Sequence, residues 1–451
     1  MRSGLGKRWR VRWWGLRAAW VLAGLWVCSP GLAQAQVRGT IAGPGHATFP
    51  IAIVPPQGGG LDGLGQEFAE TLARNLDLSG LFGVLPAPPT DRQPRDSGVQ
   101  QTQIDFGAWE GLGARLLVKG AIGTQGGELV LAVRLFDVRE RQQVGGKKYI
   151  GRPADVAQMA DRFADRILFL LTGEQGPFDS RIAFISTREG GFKELWVARA
   201  DGTGARQVTR NRTINLSPGW APDAERLLLT SYRDGRPRLY ELSTRTLELR
   251  QVLGGPGLVV GGRFSPDGKQ IAVAREEQRG NSEILLMSPR GDGLRLLTDD
   301  RGIDVSPTWS PDGTEVAFCS SRDGTPQIYV ATLATGKVRR LTFGGSYNTS
   351  PSWSPAGRQI AFTGRVGGQF QIFVLDLENG ATRQITRAAG DSTGASWSPD
   401  GRYLVFASTR RGRGEIYLAD AQGRTQRRLI TTAGDDSSPA WSTWLSASAG
   451  G

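Results

Sequence analysis

The second half of the chain alternates short apolar and polar runs on a fixed period. Trp220, Trp309, Trp353, Trp397 and Trp441 are spaced by 89, 44, 44 and 44 residues, and Phe264 stands 44 after the first. Four of these aromatics open one phrase: Phe264-Ser-Pro-Asp-Gly, Trp309-Ser-Pro-Asp-Gly, Trp353-Ser-Pro-Ala-Gly and Trp397-Ser-Pro-Asp-Gly. An apolar strand follows, as in Glu315-Val-Ala-Phe or Tyr403-Leu-Val-Phe, then a turn such as Arg322-Asp-Gly-Thr. A second strand carries Trp196, Tyr240, Leu285, Tyr329, Phe373 or Tyr417, and a segment like Arg206-Gln-Val-Thr209 closes the unit. Asp-Gly supplies the positive φ of tight hairpins, and alternation gives each small sheet two faces that one unit cannot bury alone. Each unit therefore reads as a four-stranded blade packed on its neighbours, with the Trp side chains as packing between blades.

Six strands of the second type are visible, at Ile182, Leu227, Ile271, Val316, Ile360 and Leu404. The first unit begins at Arg181 without a Trp-Ser-Pro strand, whereas Ser438-Pro-Ala-Trp441 ends the chain with nothing after it. The pattern predicts a six-bladed β-propeller over 177–445, whose first blade is completed by a C-terminal strand at 438–443.

Upstream the periodicities change. Phe49 to Val54 reads as a buried strand, and Leu64, Phe68, Leu72 and Leu76 make a helical stripe over 64–76. A short strand at 81–85, a Pro-rich loop at 86–99 and a helix at 104–112 follow. Strands are predicted at 115–120, 128–137 and 144–150, then a helix at 154–171 with Val156, Met159, Ala160, Phe163, Ile167 and Leu170 on one face. Residues 49–172 thus form an α/β domain, joined to the propeller through 173–177. Gln36 to Thr48 is Gly-rich and reads as a mobile arm.

The extreme N-terminus changes the meaning of the charge. Arg2, Lys7, Arg8, Arg10, Arg12 and Arg17 precede an apolar run from Ala18 to Val27, and Ala33-Gln34-Ala35 offers small residues for cleavage. That is the layout of a cleaved secretory signal over 1–35, with export to the periplasm. Ten apolar residues are too short to span about 30 Å of hydrocarbon, and Trp26-Val27 are not the small residues of a lipoprotein site at Cys28. The 451-residue chain carries a formal +12, but without the signal Lys plus Arg falls from 55 to 49 against 43 acids. No long basic run survives, which argues against a nucleic-acid partner. Cys319 is then the lone cysteine, and His46 the lone histidine of the chain, so a His-built metal site or a two-imidazole mechanism is disfavoured.

Two motifs resemble chemical sites. Gly58-Gly-Gly60-Leu-Asp-Gly63 matches a dinucleotide fingerprint, yet Pro55-Pro56-Gln57 separates it from its strand, and the next strand ends without the ribose-binding acid. Gly390-Asp-Ser392-Thr-Gly394 matches a nucleophile elbow, but no helix follows and the one imidazole is in the arm. No catalytic, cofactor or metal residue is therefore assigned.

What remains is a binding surface where the loops into the inner strands converge, at 213–218, 256–262, 302–307, 346–351, 391–395 and 435–439. The candidate partner-binding residues there are Asn215, Asp304, Ser306, Tyr347, Asn348, Ser350, Asp391, Ser392, Asp435 and Asp436. They suit an extended polar or basic protein segment better than a phosphate.

The chain closely resembles the TolB family of the Tol-Pal system. The resemblance covers nearly all of 36–445 and rests on Phe49-Pro-Ile-Ala-Ile-Val-Pro55, Trp109-Glu-Gly-Leu-Gly-Ala114, Leu171-Thr-Gly-Glu-Gln-Gly176 and the Trp-Ser-Pro-Asp-Gly blades. Ile303-Asp304-Val305 departs from the amide-rich stretch usual in that family, and 256–262 lacks its polar side chains. The resemblance implies a monomeric, non-enzymatic periplasmic adaptor. It would bind the lipoprotein Pal at the channel mouth and the inner-membrane protein TolA through an arm including Gln36, Val37, Arg38 and Ile41. Its role would be outer-membrane invagination at division and envelope integrity. The alternative is a propeller-scaffolded hydrolase or lyase, and a third reading is a binder of cell-wall glycan.

Overall fold

The computed structural model describes residues 48–88, 94–277 and 280–445. The expected signal over 1–35 and the arm up to residue 47, with Gln36, Val37, Arg38, Ile41 and His46, lie outside the described residues.

The first unit is a five-stranded sheet with three helices. Its strands are β1 (Phe49–Ile53), β2 (Phe82–Val84), β3 (Leu116–Gln125), β4 (Glu128–Asp137) and β5 (Gln142–Gly151), in the order β2-β1-β3-β4-β5. β1 is parallel to both neighbours, and β3 to β5 form an antiparallel meander. Helix α1 (Asp62–Leu78) buries Phe68, Leu72 and Leu76, and α3 (Val156–Thr172) buries Val156, Met159, Ala160, Phe163 and Ile167, as their stripes predict. Helix α2 (Phe106–Gly111) is capped by Asp105, whose carboxylate accepts from the Ala108 N–H at 3.0 Å. β3 and β5 run longer than their apolar cores suggest, because exposed residues continue the ladder beyond the buried part.

The Gly58–Gly63 run serves close packing. A Cβ on Gly58 would lie 2.5 Å from the Ile122 carbonyl oxygen, so the connection from β1 to α1 presses its backbone onto β3.

Six four-stranded sheets follow, each joined by antiparallel pairs. Their inner strands are Asp436–Trp441 in blade 1, Asn215–Trp220, Val259–Phe264, Asp304–Trp309, Asn348–Trp353 and Ser392–Trp397 in blades 2 to 6. The tail strand pairs with Arg181–Ser186, as the offset of the repeats requires, but starts and ends two residues earlier than 438–443. Asp436 and Ser437 already pair with Ser186 and Ile185 ahead of a bulge, a feature polarity alone does not reveal. The aromatics pin blade to blade: Nε1 of Trp220, Trp309 and Trp397 donates to the carbonyls of Ala440, Arg263 and Ser352 at 3.0, 3.0 and 2.9 Å.

The α/β unit packs on blades 1 and 6, at the end of the propeller carrying the Asp-Gly turns between first and second strands. One apolar cluster runs from Ile51, Phe68 and Phe163 through Phe178 to Tyr403 and Trp441. Tyr403 donates to the Ser79 carbonyl at 2.9 Å, and Arg427 pairs with Asp77 at 2.7 Å. At the junction, Gly173 ends α3 in the left-handed conformation, and both oxygens of buried Asp165 accept backbone N–H bonds, from Phe178 and Asp179 at 2.8 Å each.

Burial raises the Asp165 carboxyl to about 7, against the opposing pull of those two N–H donors. An unfolded aspartate titrates near about 3.9. Since the folded value is the higher, Asp165 contributes stability that is fully present below pH ~4 and lost as pH rises through about 7. Urea midpoints measured across that window should fall with pH in the wild type. In Asp165→Asn the slope should flatten, from a lower starting stability because one N–H loses its acceptor. An unchanged slope would show that other groups carry it.

Candidate functional site

The end of the propeller away from the α/β unit is built from six equivalent loops. Each leads from the outer strand of one blade to the inner strand of the next, beside the hairpin that joins the middle strands.

A recurring polar latch shapes these loops. The hydroxyls of Thr209, Thr298, Thr342 and Thr386 accept the N–H of Leu195, Ile284, Ile328 and Ile372 at 2.8, 2.9, 2.9 and 2.9 Å. The same hydroxyls donate to Glu194, Glu283, Gln327 and Gln371 at 2.5, 2.6, 2.7 and 2.6 Å. This explains why Arg-Gln-Val-Thr recurs: the threonine ties the outer edge of the blade to its third strand. The carboxyl or amide then holds the following loop. Glu194 accepts from the Arg212 N–H at 2.6 Å, and Glu283 from the Asp300 N–H at 3.0 Å. Gln371 donates to the Ala388 and Gly390 carbonyls at 3.1 and 3.0 Å. Sequence reasoning missed these four residues, although their spacing of 89, 44 and 44 was visible.

Every inner strand then carries a bulge. Its third residue has positive φ: Ser217 (51°), Gly261 (66°), Ser306 (58°), Ser350 (52°), Gly394 (64°) and Ser438 (50°). An extra residue reverses the in–out alternation. In blades 4 and 6 the first residue, the fourth and the aromatic sixth are all buried, a pattern no regular strand gives.

That reversal corrects the sequence-based choice of contact residues. Asn215, Asp304, Asn348, Ser392 and Asp436 are buried, not presented at a surface. Asn215 Nδ2 donates to the Lys193 carbonyl at 2.8 Å, and Asn348 Nδ2 to Gln327 Oε1 and the Gly344 carbonyl at 2.7 and 2.8 Å. Asp304 accepts from Arg322 Nη2 at 2.8 Å, Asp436 from the Thr432 hydroxyl at 2.9 Å, and Ser392 and Ser408 share a hydroxyl contact of 3.1 Å. Burial pushes the Glu283, Asp304 and Asp436 carboxyls above the ordinary aspartate and glutamate range. Ser306 and Ser350 are half-buried at their bulges. These side chains rigidify the loops. The Gly390–Gly394 motif places Ser392 in a strand, with no imidazole among the described residues.

The residue just before each inner strand faces out instead. These six positions, each six before the blade aromatic, are Ile214, Leu258, Ile303, Tyr347, Asp391 and Asp435. Ile214, Leu258, Ile303 and Tyr347 are exposed hydrophobics, with Ile303 53% accessible, and Phe343 in the adjoining loop reaches 78%. Asp391 and Asp435 each spend one oxygen on a backbone N–H, from Phe370 and Gly414 at 2.9 Å. The rim is thus an apolar arc over blades 2 to 5 and an acidic arc over blades 6 and 1. Tyr347, Asp391 and Asp435 are among the candidate residues chosen from the sequence, whereas Ile214, Leu258 and Ile303 lie within the chosen loops but not among those candidates. Contiguous exposed apolar groups of this kind are a common feature of protein-docking surfaces.

Two domain profiles match the chain: the TolB beta propeller domain over 169–445 and the TolB amino-terminal domain over 38–144. A protein named "Protein TolB homolog" from Chlorobium luteolum is 34% identical over 297 residues, 66% of this chain and 67% of its own length. The "Tol-Pal system protein TolB" of Desulfosudis oleivorans is 39% identical over 295 residues, 63% of this chain and 66% of its own. The crystal structure of TolB from Acinetobacter baumannii superposes with a TM-score of 0.77 at 29% identity, covering 89% of this chain and 98% of that one.

Proposed function

The chain belongs to the TolB family, and from that membership we propose that it is a non-catalytic docking protein of a Tol-Pal system. In this reading it is exported to the periplasm by the leader over 1–35, and receives the lipoprotein Pal on the propeller rim. The arm with Gln36, Val37, Arg38 and Ile41 contacts TolA, so that the outer membrane follows the constricting septum at division. Among the described residues no helix is long and apolar enough to cross a membrane.

The observation that carries the proposal is the rim itself. Ile214, Leu258, Ile303 and Tyr347 lie at one register position of successive blades, exposed on the end that the α/β unit leaves free. Apolar groups on rigid loops lose little entropy on docking, which favours a preformed partner surface over an extended, ordering segment. The acidic arc favours a partner with basic groups on one side of its contact patch.

Titrating the leader-free protein into the soluble domain of Pal by calorimetry should show one-to-one saturable binding. The arm has two placements, free or docked on the body, coupled to the choice of partner, so removing 36–43 should shift that affinity about 5- to 150-fold, the usual range of coupling between sites. No heat at any ratio would remove Pal as the rim's partner. Unchanged affinity without the arm would uncouple the two contacts.

A further inference from the structure

The lumen of the propeller holds a charge that the docking role does not use. The residue before each blade aromatic is Gly219, Thr308, Ser352, Ser396 or Ala440 in five blades, but Arg263 in blade 3. Four residues along the inner strand at ~3.3 Å each set it roughly 13 Å below the rim. Its Nη1 donates to the Ser217 and Gly262 carbonyls at 3.2 and 2.8 Å. Both acceptors lie on inner strands, so the guanidinium stays within the ring those strands enclose. The neighbouring blade is shaped for it: a Cβ on Gly219 would come within 2.8 Å of Arg263 Nη1 and 3.0 Å of its Cδ.

Among the described residues no carboxylate pairs with Arg263, and its Nε and Nη2 have no hydrogen-bond partner. Enclosure by protein alone pushes the group down to about 10, with no acid opposing the shift. Arg263 is half-buried, and a guanidinium partly withdrawn from water without a counter-ion is costly, so an anion that enters supplies the missing counter-charge. The free Nε–Nη2 edge is the fork that takes two oxygens of one oxyanion side by side. Hydroxyls flank the same level. Thr308 Oγ1 and Ser396 Oγ accept the N–H of Trp353 and Trp441 at 3.5 and 2.9 Å, which leaves each hydroxyl proton free to donate.

We propose that the propeller lumen is a binding site for one small oxyanion, phosphate or a carboxylate, received by the Nε–Nη2 edge of Arg263. The site is separate from partner docking, because Arg263 and the flanking hydroxyls lie further along the inner strands than the rim positions.

The test is calorimetric titration of the leader-free protein with inorganic phosphate at fixed ionic strength in chloride, followed by competition with acetate. One saturable site is expected, displaced by acetate and weakened at least about tenfold in Arg263→Ser, which installs the residue type of blades 5 and 6. Arg263→Lys keeps the charge without the fork and should bind between the two. Phosphate should raise the melting temperature of the wild type and leave that of Arg263→Ser unmoved, by mass action on the folded state. In chloride alone the serine variant should melt no lower than the wild type, which also reports that it folds. Absence of saturable phosphate binding overturns the proposal, and so does equal affinity in wild type and Arg263→Ser. Pal binding should be unaffected in both variants, so failure here and failure of the docking role are read separately.

Discussion

A chain ending at Asp435 should lose cooperative folding and aggregate, whereas one ending at Leu445 should melt as the full protein does. The tail strand Asp436–Trp441 is the inner strand of blade 1, paired with Arg181–Ser186 across 436–186, 437–185, 440–183 and 441–182. Removing it exposes the inner edge of a strand whose Ile182, Ala183, Phe184 and Ile185 are all buried. It also removes Trp441, whose Nε1 donates to the Ser180 hydroxyl at 2.8 Å within the cluster shared with the α/β unit. Loss of a buried Trp alone costs about 3–5 kcal/mol. A typical domain is stable by only about 5–15 kcal/mol, so losing the strand as well leaves no margin. The unpaired edge of Arg181–Ser186 is then a template for aggregation. Light scattering and a calorimetric melt of the two truncations decide the matter. A soluble 435-residue form with an unshifted melt would mean that the ring closes some other way.

The second large effect concerns the rim. Ile303→Asp and Tyr347→Asp should each weaken Pal binding by at least about thirtyfold, the ~2 kcal/mol of an interface hot spot. Both side chains are exposed, so the melting temperature should hold. Asn348→Ala should do the opposite. Its amide bridges Gln327 Oε1 and the Gly344 carbonyl in a buried position, so the melt should drop before affinity changes. Paired calorimetry and melting of the three variants separate surface from scaffold. Wild-type affinity in both aspartate variants would move the docking site elsewhere on the molecule.

That contrast shows where the sequence was legible. The blade aromatics, the Asp-Gly turns and the missing first strand are local signals repeated on a fixed period, so blade count and tail closure follow from the spacing of residues alone. The helical stripes Phe68-Leu72-Leu76 and Met159-Phe163-Ile167 were equally plain, because one apolar face at the helical period has no other use. The rim was half legible. In a regular strand Ile303 and Trp309, six apart, share a face and Ile303 reads as core. The left-handed residue at Ser306 inserts one extra step, so Trp309 is buried and Ile303 exposed. Asp304 and Asn348 failed in the mirror sense. Polarity suggested solvent, but Asn348 finds its partners in the third strand and the loop backbone, and Asp304 finds Arg322 in the hairpin between the middle strands. Serine in a left-handed conformation has no distinctive local signature, which is why the pattern of residues does not reveal the bulge.

Hydrogen exchange measured with and without Pal tests docking at the rim most directly. Saturating Pal should slow exchange in the loops around 211–216, 255–259, 300–305, 344–349, 388–393 and 432–437, while strands β1 to β5 and the Asp-Gly turns exchange as in the free protein. Protection confined to the α/β unit or to the opposite end of the propeller, with these six loops unchanged, would contradict it.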